Sequence, residues 1–346
     1  MSGILGVINL DGAPVDRKQL VQMTNYMAFR GPDHQDIWLK QQVGFGHTLL
    51  RTTFEAEREQ GITTLDGQVW ITADVRLDGR EELIGKLAAK GRQLEAQVTD
   101  VELVLHAYHL WGEDALDHLM GDFAFGIWDE RAQRLFCAHD HFGVVPFYYA
   151  KVKNCLIFSN TLNALRLHPA VSDTLNEQTI GDFLLVGYYP NLTTTTFADI
   201  QRLPPAHSLV WAGDALAIRR YYQLTEETNS VHYRRPAEYI QHFQSIFDQA
   251  VADRLRTAKA GTFLSGGMDS TSIAVTAQAL LRATGKPFDF RAYTIVYEHL
   301  VTDQEGYYAG LVAEASAIPI EYLVAETYLQ APPLDTLCCR VAGLVN

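Results

Sequence analysis

Ten consecutive residues, Gly261-Thr262-Phe263-Leu264-Ser265-Gly266-Gly267-Met268-Asp269-Ser270, combine backbone and side-chain groups that could hold a polyphosphate. The apolar lead-in predicts a buried strand, and the periodic segment from about Thr271 to Leu281 predicts a helix. Between them, two glycines let the backbone approach a ligand closely, and a helix start offers N–H groups to phosphate. Ser265 and Ser270 add hydroxyl donors, while Asp269 is placed to hold a cation bridging phosphate oxygens. Two glycines alone would make only a bend; the serines and the aspartate give the string its chemistry. Other phosphate patterns fail on spacing. Gly79 to Gly85-Lys86 does not make a Walker loop, Gly285-Lys286 has no glycine five residues ahead, and Gly44-Phe45-Gly46 lacks the third glycine of a dinucleotide turn.

A chain of 346 residues holds about two domains. Its 47% hydrophobic content supports real cores, and 20% charged residues argue against disorder. A formal charge of −13 disfavours nucleic acid and anionic membrane as partners, so phosphate binding must rest on a local site. Cys137, Cys155, Cys338 and Cys339 show no C-x-x-C spacing, and the adjacent pair reads as core thiols. The start, Met1-Ser2-Gly3-Ile4-Leu5-Gly6, has no basic region, and no segment reaches the roughly 18 apolar residues of a membrane span. The expectation is a soluble, cytoplasmic protein.

The elements that position these residues follow in order. Gly3 to Leu10 predicts a first strand turned by Asp11-Gly12, and Leu20, Met23 and Met27 have helical spacing. Arg30-Gly31-Pro32-Asp33 is a turn by composition. Val69, Ile71, Ala73 and Val75 alternate as a half-buried strand. Thr99-Asp100-Val101-Glu102 is a capping box that opens a helix through Trp111. From Asp122 to Ser159, three apolar runs are separated by Asp129-Glu130-Arg131 and by Lys151-Val152-Lys153-Asn154. Runs apolar on both faces point to stacked antiparallel sheets flanked by helices. Residues 187–230, with Thr193 to Thr196, Pro190 and Pro204-Pro205, read as a crossing segment. A long amphipathic helix from about Pro236 to Leu255 presents Tyr239, Phe243, Ile246, Phe247, Ala250 and Val251 on one face. Strand, loop and helix then repeat through Phe288 to Val296, Asp303 to Ala315 and Ile318 to Val324. Such alternation implies a parallel, doubly wound sheet with its ligand at the strand C-terminal ends.

The Ser-Gly-Gly-x-Asp-Ser string resembles the PP-loop of ATP pyrophosphatases, which split ATP to AMP and pyrophosphate. Together with Arg30-Gly31-Pro32-Asp33, Gly121-Asp122-Phe123-Ala124-Phe125, Asp140-His141-Phe142-Gly143-Val144, Leu203-Pro204-Pro205-Ala206-His207 and Asp303-x-Glu305, it makes the chain similar to class B asparagine synthetases. The resemblance implies an α+β domain followed by an α/β domain. Residues 1–186 would form an Ntn-hydrolase-like αββα sandwich of the class II glutamine amidotransferase kind. Residues 231–346 would form the N-terminal part of a truncated, doubly wound PP-loop domain. By that resemblance Leu264 and Ile295 contact adenine through their backbones, and Ser265, Gly266, Gly267, Asp269 and Ser270 hold pyrophosphate. Asp269 would bind Mg²⁺, so the implied cofactors are ATP and Mg²⁺, with Asp303 and Glu305 near by.

In three places the front half departs from a working glutaminase. The family's nucleophilic Cys is Ser2 here, its glutamine-binding Arg falls on Leu49 with Arg51 close by, and its Asn-Gly oxyanion hole falls on Ala73-Asp74. A hydroxyl is a poorer nucleophile than a thiolate, and a carboxylate at Asp74 would repel an oxyanion. Asp100 matches the ligand of the glutamine amine, and equally suits the start of its helix. The pattern therefore resembles the members without glutaminase, such as β-lactam synthetase and the lasso-peptide cyclases, which take their amine from within the substrate. The family's synthetase domain usually continues past where this chain stops, and nothing after Val324 matches that later part. The expectations are an ATP-dependent amide ligase acting on a small-molecule or peptide carboxylate, a macrolactam cyclase, or a truncated binding module. An open sheet edge would favour a homo-oligomer.

Overall fold

A computed structural model describes residues 1–59, 61–95, 97–213, 215–225 and 231–329, which fall into two compact units divided after Thr225. Cys338 and Cys339 lie outside the described residues.

In the front unit the elements run β1 (Gly3–Asn9), α1 (Arg17–Tyr26), β2 (His34–Lys40), β3 (Val43–Leu49), β4 (Thr63–Thr64), β5 (Val69–Leu77), α2 (Arg80–Ala89) and α3 (Asp100–Trp111). They continue with β6 (Gly121–Asp129), β7 (Arg134–His139), β8 (Tyr148–Val152), β9 (Cys155–Ser159), α4 (Leu162–Arg166), α5 (Glu177–Val186), β10 (Gln201–Arg202), β11 (His207–Ala212) and β12 (Ala215–Arg220). Two six-stranded antiparallel sheets result, ordered β10-β8-β9-β1-β3-β2 and β12-β11-β7-β6-β5-β4.

Three cores separate four layers. Ile4, Phe45 and Phe158 of one sheet meet Trp128, Leu135 and Trp211 of the other. Leu20 and Met23 of α1 and Leu165 of α4 cover the first sheet outside, and Leu83, Val101 and Leu105 of α2 and α3 cover the second. This is the expected αββα sandwich. Close approach of the sheets depends on two glycines. A Cβ at Gly6 or Gly126 would lie 2.0 or 2.2 Å from the Phe158 ring, which fills the space between them.

The sandwich explains two departures from the sequence reading. β5 is not half-buried, because Thr72 and Asp74 on its second face are buried as well as Ile71 and Ala73; α3 covers one face and the other sheet covers the second. The middle apolar run after Arg134 divides into β7 and β8 because Asp140 folds the chain between them. Its buried carboxylate accepts the N–H groups of Phe142, Val144 and Val145 at 3.0, 3.0 and 2.9 Å.

The segment 187–230 is not simply a crossing. Its residues supply β10, β11 and β12, which extend both sheets, so the front unit runs to Thr225 and not to 186. These strands evade a pattern search because β10 has two residues and the edge strand β12 is almost wholly exposed. The threonine run serves as hydrogen-bonding side chains: Thr195 Oγ1 donates to the Ile200 carbonyl at 2.8 Å, and Thr179 Oγ1 to Thr194 Oγ1 at 2.9 Å.

The rear unit comprises α6 (Pro236–Ala252), β13 (Lys259–Phe263), α7 (Met268–Ala283), β14 (Asp289–Val296), α8 (Glu305–Ser316), β15 (Ile320–Val324) and α9 (Ala325–Leu329). β13, β14 and β15 pair in parallel and in sequence order. Small residues let the crossover helices sit close to the sheet: Ala274 and Ala277 of α7 and Ala309 and Ala313 of α8 pack with Leu264, Phe290, Ala292 and Ile318.

Double winding is not found among the described residues. Strands taken in sequence order put α7 and α8 on the same face. The second face exposes Phe263 at 72% and Ile295 at 47%, with Arg291 paired to Asp289 and Glu321. The apolar stripe of α6 is also only partly used. Val251 is buried and Phe247 packs on the core, while Tyr239, Phe243 and Ile246 stay exposed. Among the described residues no helix is long and apolar enough to cross a membrane.

Candidate functional site

Leu264 continues the line of β13: it is buried, and its N–H donates to the Tyr293 carbonyl at 2.9 Å. The chain then turns. Ser270 Oγ accepts the Ser265 N–H at 3.2 Å and lies 3.0 Å from Ser265 Oγ, which accepts the Gly267 N–H at 3.3 Å. Two hydroxyls and a backbone amide thus converge within one turn. Gly266 has φ +76°, and a Cβ there would lie 2.4 Å from Tyr308 Cβ and 2.7 Å from the Ala309 nitrogen. Only glycine fits between the loop and α8.

Gly267 precedes α7 with no side chain capping the helix, so the first-turn N–H groups and the positive end of the helix dipole are left for an anion. The helix starts three residues earlier than its apolar periodicity predicts. That places Asp269 and Ser270 in its first turn, with Asp269 exposed. Ile295 lies near the C-terminal end of β14, the strand next to β13, so it and the backbone of Leu264 stand at the same edge of the sheet as the loop. Asp303 Oδ1 accepts the Glu305 N–H at 2.9 Å, which makes this pair a helix start for α8.

Among the described residues no group of three or more His, Cys, Asp or Glu side chains forms a metal cage. A loop with one exposed carboxylate, hydroxyls and free helix N–H groups fits a metal carried mainly by phosphate oxygens, as Mg²⁺ with ATP is. An apolar groove of roughly 650 Å³ between α6 and α7 ends at the same place, lined by Ile240, Phe243, Phe247, Met268, Asp269 and Ile273.

The front unit gathers a second cluster around Ser2, which is buried. Its N–H donates to Asp74 Oδ1 at 3.0 Å, its Oγ accepts the Leu50 N–H at 3.1 Å, and its carbonyl accepts Asn160 Nδ2 at 2.7 Å. Asn160 Nδ2 also donates to Asp74 Oδ2 at 3.2 Å, and its Oδ1 accepts the Ile4 N–H at 3.1 Å. Arg30 closes the ring, donating to the Asn160 carbonyl at 3.2 Å. Burial raises the Asp74 carboxyl to about 6, against the pull of the chain's N-terminal charge, the Ser2 N–H, Arg30 and Asn160. Burial and then the Asp74 charge raise Glu59 to about 8.

The remaining residues of the expected glutamine pocket have other partners. Asp100 is buried at the start of α3; it is ion-paired with Arg80 and accepts the Leu77 N–H at 2.9 Å. The capping box is formed by its neighbours, with Thr99 Oγ1 accepting Glu102 N–H at 3.2 Å. Arg51 binds the carbonyls of Ala56, Glu59 and Asp33 at 3.2, 3.1 and 3.5 Å, so its guanidinium holds a loop together. Asn160, Arg30 and Glu59 escaped the sequence reading. Arg30 belongs to the Arg30-Gly31-Pro32-Asp33 turn, but nothing local marks Asn160, which is brought in by the end of β9.

Residues 1–222 match the glutamine amidotransferase domain family, and residues 242–339 match the asparagine synthase family. An asparagine synthetase (glutamine-hydrolysing) 3 from Bacillus subtilis is 33% identical over 86% of this chain and 48% of its own length. A second B. subtilis asparagine synthetase is 25% identical over 92% of this chain and 43% of its own. A putative one from Methanocaldococcus jannaschii is 27% identical over 79% and 56%. The chain thus spans about half the length of the curated relatives it matches. Among solved structures, a glutamine phosphoribosylpyrophosphate amidotransferase from B. subtilis is 15% identical over 92% of this chain and 65% of that chain. Its TM-score is 0.44, too slight a likeness to bear on function. With one family matched across the whole front unit and the other in the rear unit, the chain belongs to the asparagine synthetase family, a glutamine amidotransferase domain joined to an asparagine synthase domain.

Proposed function

We propose that the chain is the nucleotide-binding part of an ATP-dependent, AMP-forming amide ligase, in which a carboxylate is adenylated and then attacked by an amine. The observation that carries this reading is the loop Ser265–Ser270. Its hydroxyls converge, its glycine is required by Tyr308, and its helix start is uncapped. In this reading the loop amides and hydroxyls bind the pyrophosphate oxygens and hold them while the acyl–adenylate bond forms. Mg²⁺, when bound at Asp269, supplies charge neutralisation for the leaving pyrophosphate. Leu264 and Ile295 would meet the base at the sheet edge. The acyl substrate is a small-molecule or peptide carboxylate, and the setting is cytoplasmic.

The front unit, in the same reading, does not hydrolyse glutamine. A carboxylate stands beside Ser2 where an oxyanion would need donors, and Asp100 and Arg51 are engaged by the protein itself. That observation favours a particular second reading within the ligase class. With no ammonia supplied, the amine comes from the substrate, as in macrolactam closure, where an amine held near the acyl-adenylate is positioned to attack.

Calorimetry of ATP·Mg²⁺ with the full chain and with Asp269→Asn tests the core of this reading. Saturable binding that the substitution weakens about tenfold is expected, from loss of a charge on the bridging cation. A folded wild-type protein that binds no ATP·Mg²⁺ would remove the ligase reading and leave a binding module. Pyrophosphate release dependent on an added carboxylate would establish adenylation. A linear peptide converted to a product one water lighter would single out cyclisation.

A further inference from the structure

Beyond Ile295 and Val296 the chain leaves β14 and turns before α8. Three successive N–H groups there, those of Glu298, His299 and Leu300, donate to a single oxygen, Oε1 of Glu326, at 3.1, 3.0 and 3.0 Å. Glu326 stands in the first turn of α9, immediately after β15. β14 and β15 are in parallel register up to Val296 and Val324, so both segments emerge at one edge of the sheet. The Ser265–Ser270 loop leaves β13 at that edge too.

Successive amides aimed at one point form an anion-binding concavity, and without an anion their like partial charges would push them apart. The Glu326 carboxylate fills that place and is held ionised, with its pKa drawn down to about 2 by the N–H groups of His299 and Leu300 first. Its other oxygen has no hydrogen-bond partner among the described residues, so the grip comes through Oε1 alone. At the far end of the turn, Asp303 fixes the start of α8. The segment is therefore tied at both ends by carboxylates. The loop after β13 has no such tie and sets its own shape through its hydroxyls and Gly266.

Resting on the nucleotide reading above, we propose that Glu326 is a positioning residue. It latches residues 298–300 and thereby fixes the wall that follows Ile295, against which the ATP base is received. It does this without touching the phosphates.

Amide hydrogen exchange and ATP·Mg²⁺ calorimetry on the full chain, for wild type, Glu326→Ala and Glu326→Gln, test the proposal. In Glu326→Ala, exchange at 298–300 is expected to quicken about tenfold or more and ATP·Mg²⁺ affinity to fall about tenfold, the scale of a lost charge-assisted bond. Glu326→Gln keeps one acceptor oxygen without the charge, so both effects should shrink to about threefold. Unchanged exchange at 298–300 in Glu326→Ala would show that no latch exists. Faster exchange with unaltered affinity would show a purely structural tie and overturn the positioning role. Wild-type protein that binds no ATP·Mg²⁺ would fail the nucleotide reading and the positioning role with it, while exchange at 298–300 would still report on the latch separately.

Discussion

The two candidate sites differ in where their polar groups point. Around Ser2 the polar groups are turned on one another, and of the cluster's side-chain nitrogens Arg30 Nε is left without a hydrogen bond among the described residues. The Ser2 N–H, Oγ and carbonyl are each bonded, both Asp74 oxygens accept, and Arg51 and Asp100 are taken up by the fold. Around Ser265 the helix start is uncapped, Asp269 is exposed, and the glycines keep the backbone bare. A buried network whose members satisfy one another is rigid and specific, and has nothing left for a ligand. A site that binds must hold donors in place without satisfying them. By that measure the rear loop suits the receptor role proposed for it, and the front cluster suits a part of the core.

Gly266→Ala should break the rear site most severely. The positive φ is strained for alanine, and the added Cβ would meet Tyr308 Cβ and the Ala309 backbone, not a movable side-chain tip. A loss of about 2–4 kcal/mol in rear-unit stability is expected from strain and overpacking together. ATP·Mg²⁺ affinity should drop by about a hundredfold or more as the loop moves off α8. Urea melts and calorimetry would check both. Affinity within a few-fold of wild type would mean that the loop is not the receptor described.

The front cluster makes a prediction about pH. Asp74 has a folded pKa raised to about 6 from 3.8, so the folded state holds its proton more tightly than the unfolded chain. Its contribution is fully present below pH 4 and is lost as pH rises through 6. The size is about 3 kcal/mol at most, at about 1.4 kcal/mol per unit. Asp74→Asn removes the titration while keeping an acceptor for the Ser2 N–H, so the difference in unfolding free energy between pH 4 and pH 6.5 should shrink by about 1–3 kcal/mol. Glu59, raised to about 8 by burial and then by the Asp74 charge, should keep a slope of its own in the variant, moved to lower pH by the loss of that charge. An unchanged profile across pH 4–6.5 would mean that Asp74 is not buried as a carboxylate.

The same contrast governs what the sequence made legible. The rear loop is local: its hydroxyls, glycines and acid lie within ten residues, so one linear string, with its resemblance to a PP-loop, was enough to single it out. Only the helix start was misplaced, because Met268, Asp269 and Ser270 lie outside the apolar period. The front cluster is assembled by the sheets from positions 72, 86 and 158 apart, and no linear pattern brings Asn160 to Ser2. Layer order was readable from runs apolar on both faces. The edge strands β10 and β12 were not, since β10 has only two residues and the exposed β12 lacks the apolar–polar alternation by which strands are found. α6 shows the converse. Its periodicity established an apolar stripe, but periodicity cannot say what covers it, and most of the stripe stays exposed.

Ser2→Cys should change least, and its silence is informative. The substitution restores a nucleophile of the kind the family uses, in a site otherwise unaltered. The Leu50 N–H that bonds Ser2 Oγ at 3.1 Å would meet the sulfur, and Asp74 would still place a carboxylate oxygen 3.0 Å from the residue 2 nitrogen. An oxyanion forming there meets charge in place of donors, and loss of one such donor alone costs about 10²–10³ in rate. No guanidinium is available at Leu49 for the glutamine carboxylate, and Arg51 would have to abandon three carbonyls to reach it. Because these deficits multiply, glutamate release from glutamine by Ser2→Cys should stay at the wild-type background. Hydrolysis well above it would mean that the cluster opens in solution and that the front unit had lost only its nucleophile.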